Sequence, residues 1–208
     1  MSSEICVFIQ ARMSSRRFPG KVLAPFRGRP IIWHVIERVR HALPELPCVV
    51  VTSTDATDDP LAAYVGSLDV AVYRGALDDV LARFAGAAAQ HPAAWLLRIC
   101  ADSPVLDERV LKEVVAAPRD GMDLVTTTAP RTWPKGHNAE LIRTSSLMAL
   151  LATELDAEDR EHVTRAFHRQ TDRYKLTNVE SGDPSLAGQD LAVDTLEDLR
   201  RLEAMGWR

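Results

Sequence analysis

The chain has 208 residues, 46% of them apolar, enough to bury about 70% of the surface of its unfolded form around one substantial core. Lys and Arg number 25 against 29 Asp and Glu, a net charge of -4, so nucleic acid is not an expected partner and any phosphate binding must come from a local basic cluster. No apolar run approaches the roughly 20 residues that cross a bilayer, which predicts a cytoplasmic protein with no membrane partner, and Cys6, Cys48 and Cys100 form no CxxC pair and read as buried thiols.

Along the chain, short β-rich runs alternate with stretches of helical spacing, the pattern of an α/β protein whose mostly parallel sheet is covered by helices. Residues 5–9 (ICVFI) read as the first strand and lead into a basic loop. A helix over 30–42 follows, with Ile32, Val35, Ile36 and Val39 at helical spacing and Pro30 in its first turn. Residues 48–52 (CVVVT) form a continuous apolar run, as in a strand buried on both faces, and end in the polar loop 53–59. Strands are predicted at 70–73, 95–100 and 123–127, with helices at 79–89 and at 107–115, the latter capped by Asp107. Pro130, Pro134 and Gly136 then interrupt the pattern. Strand candidates at 138–142, 174–179 and 190–193 and helices at 145–155, 161–169 and 196–205 complete a chain with no internal repeat and no linker. Residues 1–208 are therefore read as one domain.

The loop after the first strand, residues 11–23 (ARMSSRRFPGKVL), holds Arg12, Arg16, Arg17 and Lys21 in an acidic protein. Ligands of open α/β sheets bind outside the carboxyl ends of the strands, so the loop lies where phosphates are expected. Arg supplies forked donors, Lys a point charge, and Ser15 and Gly20 allow close backbone approach. Neither GxxxxGK[ST] nor GxGxxG is present, which sets aside the common ATPase and NAD readings. A nucleotide triphosphate needs a divalent cation, and Mg²⁺ is typically held by one or two carboxylates, phosphate oxygens and water. Asp102 and Asp194 each follow a predicted strand and are the candidate metal ligands; the alternatives are an Asx turn at Asp102 and a helix cap at Asp194.

Residues 9–23 resemble the ARxxSxRxPGKxL signature of the CMP-sugar synthetase superfamily, which includes the ketodeoxyoctonate and acylneuraminate cytidylyltransferases, with the nearest likeness to the spore coat polysaccharide group. The resemblance implies a three-layer αβα Rossmann-like fold of the nucleotide-diphospho-sugar transferase type. It implies CTP as substrate, with Ala11, Arg12, Ser15, Arg17 and Lys21 on the nucleotide, Arg12 and Lys21 stabilising departing pyrophosphate, and Asp102 and Asp194 on Mg²⁺. The late DTLEDL segment (194–199) matches the family except at Leu196, whereas Ala101 and Ser103 replace the Gly and Cys that nearest relatives carry around the aspartate.

Thr52, Ser53, Arg74, Asp79 and Arg83 follow the second and third strands and are candidates for reading the cytosine edge, with helix caps at Asp59 and Asp79 and a solvated Arg83 as the structural alternative. Lys135, Asn138, Glu140, Glu161 and His162 are candidates for the small-molecule acceptor, because long connections in α/β domains often carry substrate contacts. Asn138 stands where relatives often place an aspartate. The resemblance further implies a homodimer with an acceptor and dimerisation flap around 128–180, for which Trp133 and Phe167 are interface candidates. Two other functions fit the residues: a glycosyltransferase of similar fold, although Asp102-Ser103-Pro104 lacks the DxD pair, and a nucleotide-binding module without catalysis.

Overall fold

A computed structural model describes residues 3–206. Seven strands form one sheet in the order β5-β4-β1-β6-β8-β7-β9: β1 (Ser3–Gln10), β4 (Cys48–Ser53), β5 (Ala71–Gly75), β6 (Ala93–Cys100), β7 (Leu124–Thr126), β8 (Ala139–Arg143) and β9 (Leu176–Asn178). A small hairpin of β2 (Pro25–Phe26) and β3 (Arg29–Pro30) stands apart. The helices are α1 (Ile31–Ala42), α2 (Asp59–Gly66), α3 (Val80–Gln90), α4 (Glu108–Ala116), α5 (Thr144–Leu151), α6 (Ala157–Glu161), α7 (Arg165–Arg169) and α8 (Leu196–Ala204).

The alternation in β1 explains the layers. Ile5, Val7 and Ile9 face a core shared with Ile32, Val35, Ile36 and Val39 of α1 and with α4, whereas Cys6 and Phe8 face Val80, Phe84 and Phe167 on the opposite side. Both faces of the strand are thus covered, as its unbroken apolar run requires. A third cluster, Ile31, Val193, Leu199 and Leu202 among its members, seats α8. Each fully buried aliphatic side chain contributes about 1.5–3 kcal/mol of transfer free energy.

The sheet is mostly parallel, as expected, with one strand reversed: β8 pairs antiparallel with both β6 and β7. Periodicity alone carries no strand direction. The order turns outward from β1 in one direction through β4 and β5 and in the other through β6, so the loops leaving β1 and β6 diverge at a switch point, where α/β sheets open a crevice.

Several boundaries differ from expectation. Residues 190–193 do not form a strand: an isolated bridge joins Asp190 to Lys135, whose N–H donates to the Gln189 carbonyl (2.8 Å) and whose carbonyl accepts from Leu191 N–H (2.7 Å), and Val193 N–H donates to the Asp102 carbonyl (2.8 Å). The helix expected over 161–169 is split between α6 and α7 by the extended backbone of His162 (φ -109°, ψ 87°). The helix expected over 145–155 ends at Leu151. The polar loop after β4 is shorter than expected, since α2 begins at Asp59. Trp133 and Phe167 are 1% and 0% exposed and belong to this chain's own core rather than to an interface. Cys6 and Cys48 are unpaired, and burial pushes their thiols up to about 11 and about 12. Among the described residues no helix is long and apolar enough to cross a membrane.

Candidate active site

The basic loop is a folded turn. Gly20 takes a left-handed conformation (φ 75°) and its N–H donates to the Met13 carbonyl at 2.8 Å, as does that of Ser15 at 2.9 Å, so residues 13–20 curl back on themselves. Its anchor is Asp58, which is 0% exposed. One oxygen accepts from Met13 N–H (2.7 Å), the other from Thr52 Oγ1 (2.9 Å), Ser53 N–H (3.0 Å) and the Ser53 hydroxyl. Asp58 thereby clamps the loop after β1 to the end of β4. The sequence reading missed it, because an Asp before an apolar helix reads as a cap; its side chain caps nothing here.

That clamp accounts for two of the expected base readers. Thr52 and Ser53 are fully buried and spend their hydroxyls on Asp58 rather than facing a cavity. Arg74 lies outside it too, donating to the carbonyls of Ser53 (2.7 Å) and Asp55 (3.0 Å) and pairing with Asp59 (2.7 Å). Asp79 caps α3 through Ala82 N–H (2.9 Å) and accepts from Arg160 (2.7 Å), which ties α3 to α6. Arg83 is 1% exposed, not solvated. It donates to the Ala76 carbonyl at 2.8 Å, two of its nitrogens find no partner, and burial lowers its guanidinium to about 10.

A cleft of about 520 Å³ opens at the switch point, lined by Ala11, Arg12, Ser15, Arg17, Lys21, Asp102 and Asp194. All the residues expected to hold the triphosphate and metal therefore converge. At its centre the Lys21 ammonium, 9% exposed, donates to Asp102 Oδ2 (2.9 Å), Asp194 Oδ1 (3.2 Å) and the Val193 carbonyl (2.8 Å). Two carboxylates 92 residues apart in sequence thus meet around one cation. Asp194 also pairs with Arg17 (2.9 Å) and Lys135 (2.8 Å). Burial raises its carboxyl, but the bonds from Lys135 and Lys21 outweigh that and hold it at about 2. The cap of α8 is Thr195, in a capping box with Asp198, which leaves Asp194 to the cleft.

Among the described residues no group of three or more His, Cys, Asp and Glu is placed to hold a metal. Two converging carboxylates beside a basic loop are nevertheless a donor set that suits Mg²⁺, which typically takes its remaining ligands from phosphate and water. Lys135 was expected on the acceptor; it instead joins Asp190 and Asp194, each at 2.8 Å. Glu161, also expected on the acceptor, lines the first cleft and pairs with Arg12 at 3.0 Å, which lowers its carboxyl.

A second cavity of about 290 Å³ adjoins the first and is lined by Asn138, Glu140, Thr164 and His168, with Arg98 and His162 shared between the two. Asn138, Glu140 and His162, all expected on the acceptor, thus line this second cavity. Glu140 already has three donors: it accepts from Arg98, from Thr164 Oγ1 (3.0 Å) and from His168 (3.4 Å). Burial would raise its carboxyl, yet Arg98, His168 and Thr164 prevail and hold it at about 2. Arg98 and Glu140 sit opposite each other on β6 and β8. The sequence signal for Arg98 was a charge inside an apolar strand, WLLRIC.

A parallel-centred α/β sheet with a cationic loop and paired carboxylates at its switch point defines a class, the nucleotide-binding transferases. Comparisons narrow it. The cytidylyltransferase family profile matches residues 6–203. The chain is 29% identical to the spore coat polysaccharide biosynthesis protein SpsF of Bacillus subtilis (strain 168), over 98% of this chain and 86% of that protein. It is 32% identical to the 3-deoxy-manno-octulosonate cytidylyltransferase of Nitratidesulfovibrio vulgaris (strain DP4), over 96% and 71%. A solved cytidylyltransferase from Leptospira borgpetersenii serovar Hardjo-bovis (strain JB197) superposes with a TM-score of 0.91 at 26% identity, covering 97% and 85% of the two chains. The chain belongs to the cytidylyltransferase family. It is a nucleotidyltransferase that uses CTP, which sets aside the glycosyltransferase and the non-catalytic module.

Proposed function

We propose that this chain transfers CMP from CTP to a small sugar acid, polyol phosphate, sugar phosphate or phosphonate, with Mg²⁺ as cofactor and pyrophosphate as co-product, in cell-surface polysaccharide or related biosynthesis in the cytoplasm. The observation that carries this reading is the Lys21 ammonium held between Asp102 and Asp194 at the floor of the basic loop. A cluster of this kind, with the two carboxylate side chains 26% and 14% exposed, supports a site that brings a triphosphate and a divalent cation together.

The triphosphate lies along the basic loop, against Arg12, Ser15, Arg17 and Lys21. Asp102 and Asp194 would hold Mg²⁺, which when bound would supply Lewis-acid stabilisation of the charge developing on the phosphates. The acceptor enters from the second cavity. Its oxygen forms the new bond to the α-phosphorus in line with the leaving group; the bond to the bridging oxygen breaks and its electron pair departs on pyrophosphate, while the acceptor's proton, where it has one, passes to water. Arg12 and Lys21 stabilise the departing charge. Thr52, Ser53 and Arg74 are engaged elsewhere and take no part in reading cytosine. Residues 128–180 form the acceptor and dimerisation flap of a homodimer built from one domain per chain.

Pyrophosphate release tests the reading, with CTP, Mg²⁺ and a panel containing 3-deoxy-manno-octulosonate, a polyol phosphate and a phosphonate. Release that needs CTP and Mg²⁺ together supports it. Arg12→Ala is expected to lower turnover by roughly 10²–10³ in a folded protein; near wild-type turnover would remove Arg12 from the mechanism.

A further inference from the structure

Arg98 is absent from the roles assigned above, yet it occupies a singular place. Of the residues lining the two cavities, Arg98 and His162 alone line both. In an in-line displacement the reacting phosphorus must lie where the nucleotide and acceptor compartments meet. His162 is exposed, in the break between α6 and α7, whereas Arg98 rises from the central strand β6 with 15% of its side chain exposed. Its orientation is fixed from two neighbouring strands: Nε donates to Gln10 Oε1 of β1 at 3.0 Å and Nη1 donates to Glu140 of β8. Nη2 makes only a weak contact with Cys100 Sγ at 3.7 Å.

A guanidinium has five N–H donors, so about two of them, one on each terminal nitrogen, are left without a protein acceptor. Its counter-ion is also shared, because Glu140 accepts from His168 and Thr164 as well. A fixed, partly neutralised cation with spare donors at the junction of two compartments is suited to an oxygen that gains charge there.

Resting on the CTP reading above, we propose that Arg98 is a further catalytic residue, donating its unspent N–H groups to a non-bridging oxygen of the α-phosphate. Gln10 and Glu140 are its positioning residues. On this reading Lys21 and Arg17 serve the departing β- and γ-phosphates instead, and the difference can be read without knowing the acceptor.

The experiment is calorimetric titration of cytidine, CMP, CDP and CTP, each with Mg²⁺, into the wild-type chain and into Arg98→Lys. A second variant, Arg98→Gln combined with Glu140→Gln, removes both charges so that no buried carboxylate is stranded if the single change fails to fold. Both should weaken CMP, CDP and CTP by a common factor, roughly 10- to 100-fold for a lost bond to a charged group, and leave cytidine unchanged. Lys21→Ala should spare CMP and weaken CDP and CTP. Equal affinities for CMP in wild type and variants would overturn the proposal, as would a loss confined to CDP and CTP. If the wild type binds none of the cytidine nucleotides, the CTP reading itself falls and Arg98's role with it; if it binds them and the variants do too, the role alone falls.

Discussion

Replacing Asp58 by Asn tests whether the basic loop is organised from beneath. The carboxylate serves four donors and offers none; the amide has one acceptor oxygen and an NH₂ that must face donors whichever way it turns. Turned towards Oδ2, it confronts the hydroxyls of Thr52 and Ser53, which can rotate to accept, and Ser53 N–H, which cannot; turned towards Oδ1, it confronts Met13 N–H. One buried backbone donor is stranded in either case, at about 1–3 kcal/mol, and the charge-assisted character of the remaining bonds is lost as well. A total of roughly 2–4 kcal/mol follows, which for a chain of this size lowers Tm by roughly 5–15 °C. Because Asp58 lies behind the cleft, CTP affinity should fall through misplacement of the loop that begins at Met13. Differential scanning calorimetry and CTP titration at a temperature where both proteins are folded would measure the two effects. An Asp58→Asn protein that melts within about 1 °C of wild type and binds CTP equally well would refute the clamp.

Other perturbations follow from the same geometry. Gly136 has φ +100°, and a Cβ there would lie 2.7 Å from the Leu191 carbonyl carbon; Gly136→Ala should destabilise the fold by about 2 kcal/mol or more and, by displacing the segment that leads to Asp194, weaken Mg²⁺-dependent CTP binding, both readable by thermal shift. Glu140 titrates near 2 when folded against an unfolded value near 4.5, so its contribution, roughly 3 kcal/mol shared with its partners, is complete above about pH 4.5 and disappears as pH falls towards 2. Glu140→Gln should flatten the fall in Tm over that window while lowering Tm at pH 7, and an unchanged acid profile would contradict the assignment. Glu161→Gln releases Arg12 from a half-exposed ion pair and should tighten CTP binding about two- to fivefold at low salt, an advantage that fades as salt rises; no difference in a low-salt titration would mean the pair does not compete with phosphate.

The architecture was legible wherever burial imposed a period. Ile32, Val35, Ile36 and Val39 announced α1, and the unbroken runs of β1 and β4 announced strands covered on both faces. Arg12, Ser15, Arg17, Lys21, Asp102 and Asp194 were found together because charges on strand-end loops have few purely structural uses, and the structure gathers them in one cleft. What escaped was work done by polar groups out of sight. Asp58 looks like a helix cap in sequence, and nothing in its neighbours says that its oxygens turn inward to Met13. Thr52 and Ser53 look available until that partner is known. Lys135 was assigned to the acceptor, yet a chain crossing the sheet ends brings Asp190 and Asp194 to it. The direction of β8 and the isolated bridge at Asp190 depend on three-dimensional neighbours that a period of two does not encode.

The tie between Lys21 and the segment at Val193–Asp194 also sets an order of events during synthesis. A nascent chain that has emerged as far as Asn178 contains every strand of the main sheet, and the cationic loop among them, but lacks Asp194. Until the segment that carries Asp194 has been added, the lysine at the centre of the cleft has one carboxylate partner instead of two. Every strand of the sheet is therefore synthesised before the residue that completes the pair of carboxylates around Lys21.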